Sequence, residues 1–182
     1  MPPLLFAQTF AEHLLAEVAH LDFGDDVFGR TAGNWIAGGP HAMESALQSM
    51  RDKGTTTWLY RLGDASILGF GSLGPANWRI DNRRQEIVII PHLGIQVQFQ
   101  GGPAGVPSHG KYSRLLLRDL IARARAFDIE KRPFLGLYVH ESNHKARDLY
   151  EKMGFVPIGQ LNDEGYQRML LKLVNPGGAS LV

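Results

Sequence analysis

The segment Phe134-Leu135-Gly136-Leu137-Tyr138-Val139 is apolar on both of its alternating sides. A strand with one solvated face alternates apolar and polar residues, so this run reads as a central strand covered on both faces. It leads through a polar turn into a helix expected from Ser142 to Met153, striped by Ala146, Leu149, Tyr150 and Met153 and closed by Gly154. Upstream, Tyr112 to Phe127 has helical spacing, with Leu116, Leu117, Leu120, Ile121 and Ala124 on one face. Helix, buried strand, helix in direct succession requires a layered α/β domain.

The rest of the chain supplies the other elements. Thr9-Phe10-Ala11-Glu12 has the form of a capping box. Phe10, Leu14, Val18 and Leu21 follow at helical spacing. A second helix is expected from Pro40 to Lys53 (Met43, Ala46, Leu47, Met50), with Gly54 as its left-handed stop; Gly24 to Pro40 reads as loop. Thr55 to Leu62 and Ser66 to Leu73, joined by Gly63-Asp64, form a hairpin pattern. Gly74 to Arg84 reads as a polar connection. Glu86 to Ile90 opens a buried strand, which Pro91 or Gly94 interrupts with a bulge. Tyr166 to Val174 is the last strand. The expected architecture is one α/β (α+β) domain over 1–182: N-terminal helices in 1–54, a mixed sheet core in 55–174, and a tail in 175–182.

Composition narrows the chemistry. The 182 residues include no cysteine, which removes disulfides, thiol nucleophiles and Cys-ligated metal centres. With 19 Lys+Arg against 18 Asp+Glu, the net charge of +1 gives no global case for nucleic acid or an anionic membrane. The short apolar start Met1–Ala7 lacks basic residues before it, and no stretch approaches the ~20 apolar residues of a membrane span. A soluble, cytoplasmic protein is expected.

His140-Glu141-Ser142-Asn143-His144 matches the zinc-protease pattern H-E-x-x-H. That chemistry needs both histidines on one helical face. The helix stripe places Ser142 and Asn143 as capping residues and ends the strand at His140 and Glu141, so the match is read as a strand-to-helix junction without metal. The loop from Gln100 to Gly110 holds four glycines and two prolines and leads into a helix, an arrangement that offers backbone amides to an anion. Taken alone, it reads equally as a surface connection. Asn143 at a helix entry and Tyr150 two turns later read locally as a cap and a core aromatic.

Taken together these segments resemble the GNAT acetyltransferase superfamily. Leu137-Tyr138-Val139 with Asn143, Ala146, Leu149, Tyr150, Gly154 and Phe155 is similar to one conserved block of that family. His92-Leu93-Gly94-Ile95-Gln96-Val97-Gln98-Phe99-Gln100-Gly101 resembles the strand and turn before its pyrophosphate loop. Ile95 to Gln100 alternates like a strand, whereas the resemblance puts Val97 and Gln98 in a turn; the resemblance is preferred. Gly102 to His109 departs from the pattern as an insertion. The usual glycine seats then fall on Lys111 and Ser113, or on Gly110 in a shifted register.

The resemblance implies a GNAT-like acyl-CoA N-acyltransferase fold that moves an acetyl group from acetyl-CoA to a primary amine on a small molecule or protein, with no metal. Within it, Leu93 and Ile95 would hold the pantetheine arm through their main chain. Gln100, Gly101, Gly110, Lys111, Tyr112 and Ser113 would take the pyrophosphate, and Asn143 would bond the pantetheine region. Tyr150 would protonate the leaving thiolate. Glu86 is the candidate base, with an ordinary exposed strand end as the other reading. Arg114, Arg118, Arg123 and Arg125 read as a solvated helix face, with a seat for the CoA phosphates or for RNA as the other reading. A homodimer is compatible with the family, and the alternative function is a CoA-binding or protein-interaction module without turnover.

Overall fold

The computed structural model describes residues 5–18, 21, 48, 50–52, 54–63, 66–99, 112–127 and 129–173. These form strands β1 (Phe6–Thr9), β2 (Thr56–Arg61), β3 (Ile67–Ile80), β4 (Arg83–Ile89), β5 (Leu93–Ile95), β6 (Phe134–His140), β7 (Val156–Ile158) and β8 (Tyr166–Lys172). The helices are α1 (Leu15–Val18), α2 (Tyr112–Ala124) and α3 (His144–Lys152), with 3₁₀ turns at Glu12–Leu14 and Val97–Phe99. Strand order is β1-β2-β3-β4-β6-β8-β7, with β5 also on β3. β4 and β6 run parallel, and β6–β8 and β7–β8 antiparallel. The expected mixed sheet is therefore present.

The chain divides into two compact units, residues 1–74 with 91–118, and residues 75–90 with 119–182. In the first, the N-terminal segment differs from expectation. Phe6–Thr9 is a strand paired with β2, Thr9 lying opposite Trp58, so Thr9 is committed to a ladder rather than to a capping box. The 3₁₀ turn that follows starts after Ala11 with no side-chain cap. The predicted stripe nonetheless packs as a core: Phe10, Leu14, Val18 and Leu21 cluster with Leu59, Ile67 and Phe70. Of the second predicted helix, residues 48 and 50–52 are helical and Gly54 has the left-handed φ of +61°; Met43, Ala46 and Leu47 lie outside the described residues.

The β2–β3 hairpin forms as expected. The polar connection expected from Gly74 does not form, because β3 continues to Ile80 and the chain reverses at Asp81-Asn82, with φ of +47° and +61°. Asp and Asn are the side chains that best tolerate this conformation. Gly74 is explained by closeness instead: a Cβ there would strike the Thr55 side chain. In the second unit, Leu120, Ile121 and Ala124 of α2 are buried, as are Leu135, Leu137 and Val139 of β6. Trp78, Ile87 and Leu170 form a further cluster.

Candidate active site

In the second unit, β6 ends at His140, a turn follows, and α3 starts at His144. The two histidines of the H-E-x-x-H match therefore sit on different elements. The His140 Nδ1 accepts from the Ser142 amide at 3.2 Å and lies 2.7 Å from the Ser142 hydroxyl. Its ring rests edge-on against Tyr166, with centroids 5.1 Å apart. Among the described residues, no three His, Asp or Glu side chains are grouped to hold a metal.

Asn143 caps α3 as its sequence position requires. Its Oδ1 accepts the Ala146 amide at 3.1 Å, leaving the Nδ2 donor without a partner among the described residues. At the other end, the Phe155 amide donates to the Tyr150 carbonyl and the Gly154 amide to the Glu151 carbonyl, both at 3.0 Å. Gly154 has φ +91°. This is the Schellman pattern, in which a left-handed glycine satisfies the last carbonyls of the helix. It also brings together the two residues at its ends: the Tyr150 and Phe155 rings are 5.9 Å apart. Tyr150 is half-buried, and desolvation pushes its pKa from 10.0 to about 12. The phenol is therefore neutral near pH 7.

In the first unit, β5 lies antiparallel to β3, with Gly94 opposite Phe70. The Ser72 amide donates to the His92 carbonyl at 2.9 Å and the Gln96 amide to the Leu68 carbonyl at 3.0 Å. Hydrogen-bonded residues alternate along such a pair. Residues 92, 94 and 96 thus turn their main chain toward β3, and Leu93 and Ile95 turn theirs to the opposite edge. Two glycines allow this close pairing: a Cβ on Gly69 would meet the Gly94 carbonyl, and one on Gly94 would come within 2.5 Å of Phe70 Cε1. The interruption expected at Pro91–Gly94 is real, since β4 stops at Ile89 and β5 starts at Leu93. Val97–Phe99 is a 3₁₀ turn, as the resemblance required and simple alternation did not.

Gln100, Gly101, Gly110 and Lys111 lie outside the described residues. Their flanks do not: the Phe99 and Tyr112 rings are 5.7 Å apart, edge to face. Tyr112 and Ser113 occupy the first turn of α2. Glu86 lies on β4, exposed, with its carboxylate 3.5 Å from Arg132. Sequence reasoning passed over His92, which is buried next to Leu93, and Gln96, whose side-chain amide donates to the Ile67 carbonyl. Their sequence signal was membership of the His92–Gly101 block, which gave neither of them a role.

Residues 109–155 match the family model described as the acetyltransferase (GNAT) family. This stretch runs from just before α2 to the end of the α3 Schellman motif. No curated protein matches the chain. Among solved structures, a tyrosine-to-phenylalanine variant of the toxin AtaT, bound to the C-terminus of the antitoxin AtaR and acetyl-CoA, is 13% identical, with a TM-score of 0.63 over 93% of each chain. Spermidine N-acetyltransferase from Vibrio cholerae, in complex with CoA and spermine, is 17% identical, with a TM-score of 0.61 over 93% of this chain and 95% of that one. Over residues 109–155 the chain thus carries the sequence pattern of the GNAT acetyltransferase family, and its fold is the GNAT fold.

Proposed function

We propose that this protein is a GNAT-family N-acetyltransferase that moves the acetyl group of acetyl-CoA to a primary amine. The observation that carries the reading is the α3 segment. Within the stretch that matches the family, it presents an unused amide donor on Asn143 at one end and a half-buried, protonated phenol on Tyr150 at the other. Both fit acetyl-CoA as substrate, the first as a donor to the amide carbonyl oxygens of pantetheine, the second as a donor to sulfur. Taken by itself, the β5 main chain at Leu93 and Ile95 in the first unit is proposed to hold a pantetheine arm by strand-like pairing. The first turn of α2 at Tyr112 and Ser113 suits phosphate.

The reaction consumes a neutral amine, a minority species near pH 7 because amines titrate near ~10. Glu86 is the carboxylate proposed to take the amine's proton, directly or through water. Attack on the thioester carbonyl gives a tetrahedral adduct whose C–S bond breaks, and the sulfur ends as a thiol. Tyr150 donates toward that sulfur. A phenol near 12 is a weak acid beside a thiol whose parent pKa is ~8.5. Its help therefore belongs at the low end of general-acid contributions, about 10²-fold.

The test is thiol release from acetyl-CoA with a panel of primary amines, beginning with spermine and spermidine and including lysine peptides. Amine-dependent release supports the proposal. A thermal shift with acetyl-CoA but no release with any amine would return the chain to a CoA-binding module without turnover. No shift at millimolar acetyl-CoA would remove both readings.

A further inference from the structure

In the second unit, the β6–β8 ladder sets Tyr138 opposite Arg168, and the β7–β8 ladder sets Ile158 opposite Arg168. Directly paired residues point to one face, so these three side chains stand in a row across the sheet. Trp78 of β3 lies against the row. Its ring covers Gly136, where a Cβ would come within 2.7 Å of the indole Cη2. It meets the Tyr138 ring edge-on, with centroids 5.1 Å apart. Ala76, Ile80, Phe134 and Leu170 pack in the same cluster, so the row rests on a fixed apolar floor.

Arg168 is held at two points on that floor. Its guanidinium carbon is 5.7 Å from the centre of the Trp78 ring. One terminal nitrogen lies 2.9 Å from the place a Cβ on Gly159 would take, and Gly159 has φ +67°. Both the turn and the close approach there require glycine. A guanidinium stacked on an indole keeps its in-plane N–H donors for another partner. Among the described residues none is supplied: Arg168 is half-buried and its guanidinium has no ion pair or hydrogen bond. β6, β7 and β8 contain no Asp or Glu. Beside it, Tyr138 is 44% exposed, and its hydroxyl has no hydrogen-bond partner among the described residues.

We infer that Arg168 and Tyr138 form a seat for the carboxylate of a small apolar ligand. A planar fork that donates two parallel N–H bonds matches the two oxygens of a carboxylate, and the phenol adds a third donor. One guanidinium balances one negative charge. A phosphate dianion needs a second cation, and the other cation of β8 on this face, Lys172, stands four residues on, about 13 Å away at ~3.3 Å per residue. The flank of the seat is aliphatic: Ile158 is in the row, and Val156, on the same face of β7, is 56% exposed. The ligand class is therefore a monocarboxylate with an aliphatic body, such as an N-acylated apolar amino acid. This seat stands apart from the acetyl-transfer reading, so its binding is measured without acetyl-CoA.

The probe is N-acetyl-L-leucine, which has the carboxylate and an aliphatic body but no amine to be acetylated. Titrated at millimolar concentrations into the isotope-labelled full chain, it should move the Trp78 indole resonance, assigned through Trp78→Phe. N-acetyl-L-leucine amide keeps the body without the charge and should bind at least about tenfold more weakly, as should the carboxylate to Arg168→Gln. Tyr138→Phe keeps the ring of an exposed residue and should weaken binding about 2- to 10-fold, the loss of one neutral hydrogen bond. Lys172→Gln should bind as the parent does. The comparison of acid with amide uses the parent alone and does not depend on how any variant folds. An indole resonance that stays in place, equal affinity for acid and amide, full affinity in Arg168→Gln or in Tyr138→Phe, or inorganic phosphate bound more tightly than the carboxylate would each overturn the inference.

Discussion

The Tyr150 carbonyl accepts the amide of Phe155 at 3.0 Å, and the rings of the two residues lie 5.9 Å apart. The main chain that ends α3 therefore also fixes the aromatic ring proposed to act on the thioester. Tyr150 is not placed by side-chain packing alone, and this couples helix termination to the chemistry.

Gly154 is the point at which that coupling can be broken. Gly154→Ala puts a Cβ on a residue at φ +91° and within 3.3 Å of Leu171 Cδ1. The expected cost is about 1–2 kcal/mol of stability, from the left-handed strain and the tight contact. Urea unfolding measures it, and kcat should fall together with stability because Tyr150 is released from its end of the motif.

Asn143 separates its two roles by substitution. Asn143→Asp keeps an oxygen for the Ala146 amide but has no donor to replace Nδ2. It should retain stability while binding acetyl-CoA more weakly. Asn143→Ala should lose both, with a stability cost of about 0.5–2 kcal/mol. Calorimetric titration and thermal melts on the two variants check this; equal acetyl-CoA affinity in Asn143→Asp and the parent would confine Asn143 to capping.

Much of this part of the fold was legible in the sequence because caps and Schellman ends are local: Asn143, Gly154 and the stripe between them are set by neighbours within a turn. The N-terminus misled for the opposite reason. Thr9 and Glu12 fit a capping box locally, but pairing with distant Trp58 took Thr9 into a strand. Gly74, Pro75 and Asn77 look like a turn, yet Pro75 lies where β3 has one strand partner, so its missing N–H can face an unpaired edge. The turn at Val97–Phe99 was legible only through the family resemblance, because alternation over 95–100 matches a strand equally well. The phosphate-binding expectations at Gln100, Gly101, Gly110 and Lys111 lie outside the described residues.

Gly69 tests the β3–β5 pairing. Gly69→Ala drives a Cβ into the carbonyl of Gly94, which is backbone and cannot rotate away. A loss of about 1–3 kcal/mol is expected, as for other overpacked sites, along with weaker acetyl-CoA binding from a displaced β5 edge. Chemical denaturation and calorimetry read the two effects separately.

The raised pKa of Tyr150 has a pH consequence of definite sign. The folded state holds the neutral phenol up to about 12, whereas the unfolded chain releases its proton near 10.0. Whatever stability this linkage supplies is fully present below pH 10 and is lost as pH rises from 10 through 12. Tyr150→Phe should lose less stability over that window than the parent, measured as urea midpoints at pH 9, 10 and 11. A parent and variant that decline in parallel would contradict a desolvated phenol with a raised pKa.

The central claim is that the Tyr150 hydroxyl assists departure of the thiolate, and Tyr150→Phe tests it most directly, since the ring and its contact with Phe155 remain while the donor is deleted. With an amine found active in the panel, kcat is compared at saturating acetyl-CoA, with chemistry shown to be limiting by single-turnover kinetics. The predicted result is a fall of about 10²-fold in kcat. Acetyl-CoA affinity and melting temperature should stay near those of the parent, because the lost group makes at most one hydrogen bond worth about 0.5–1.5 kcal/mol. Equal rates in the two proteins would contradict the claim and leave Tyr150 as an aromatic that closes α3.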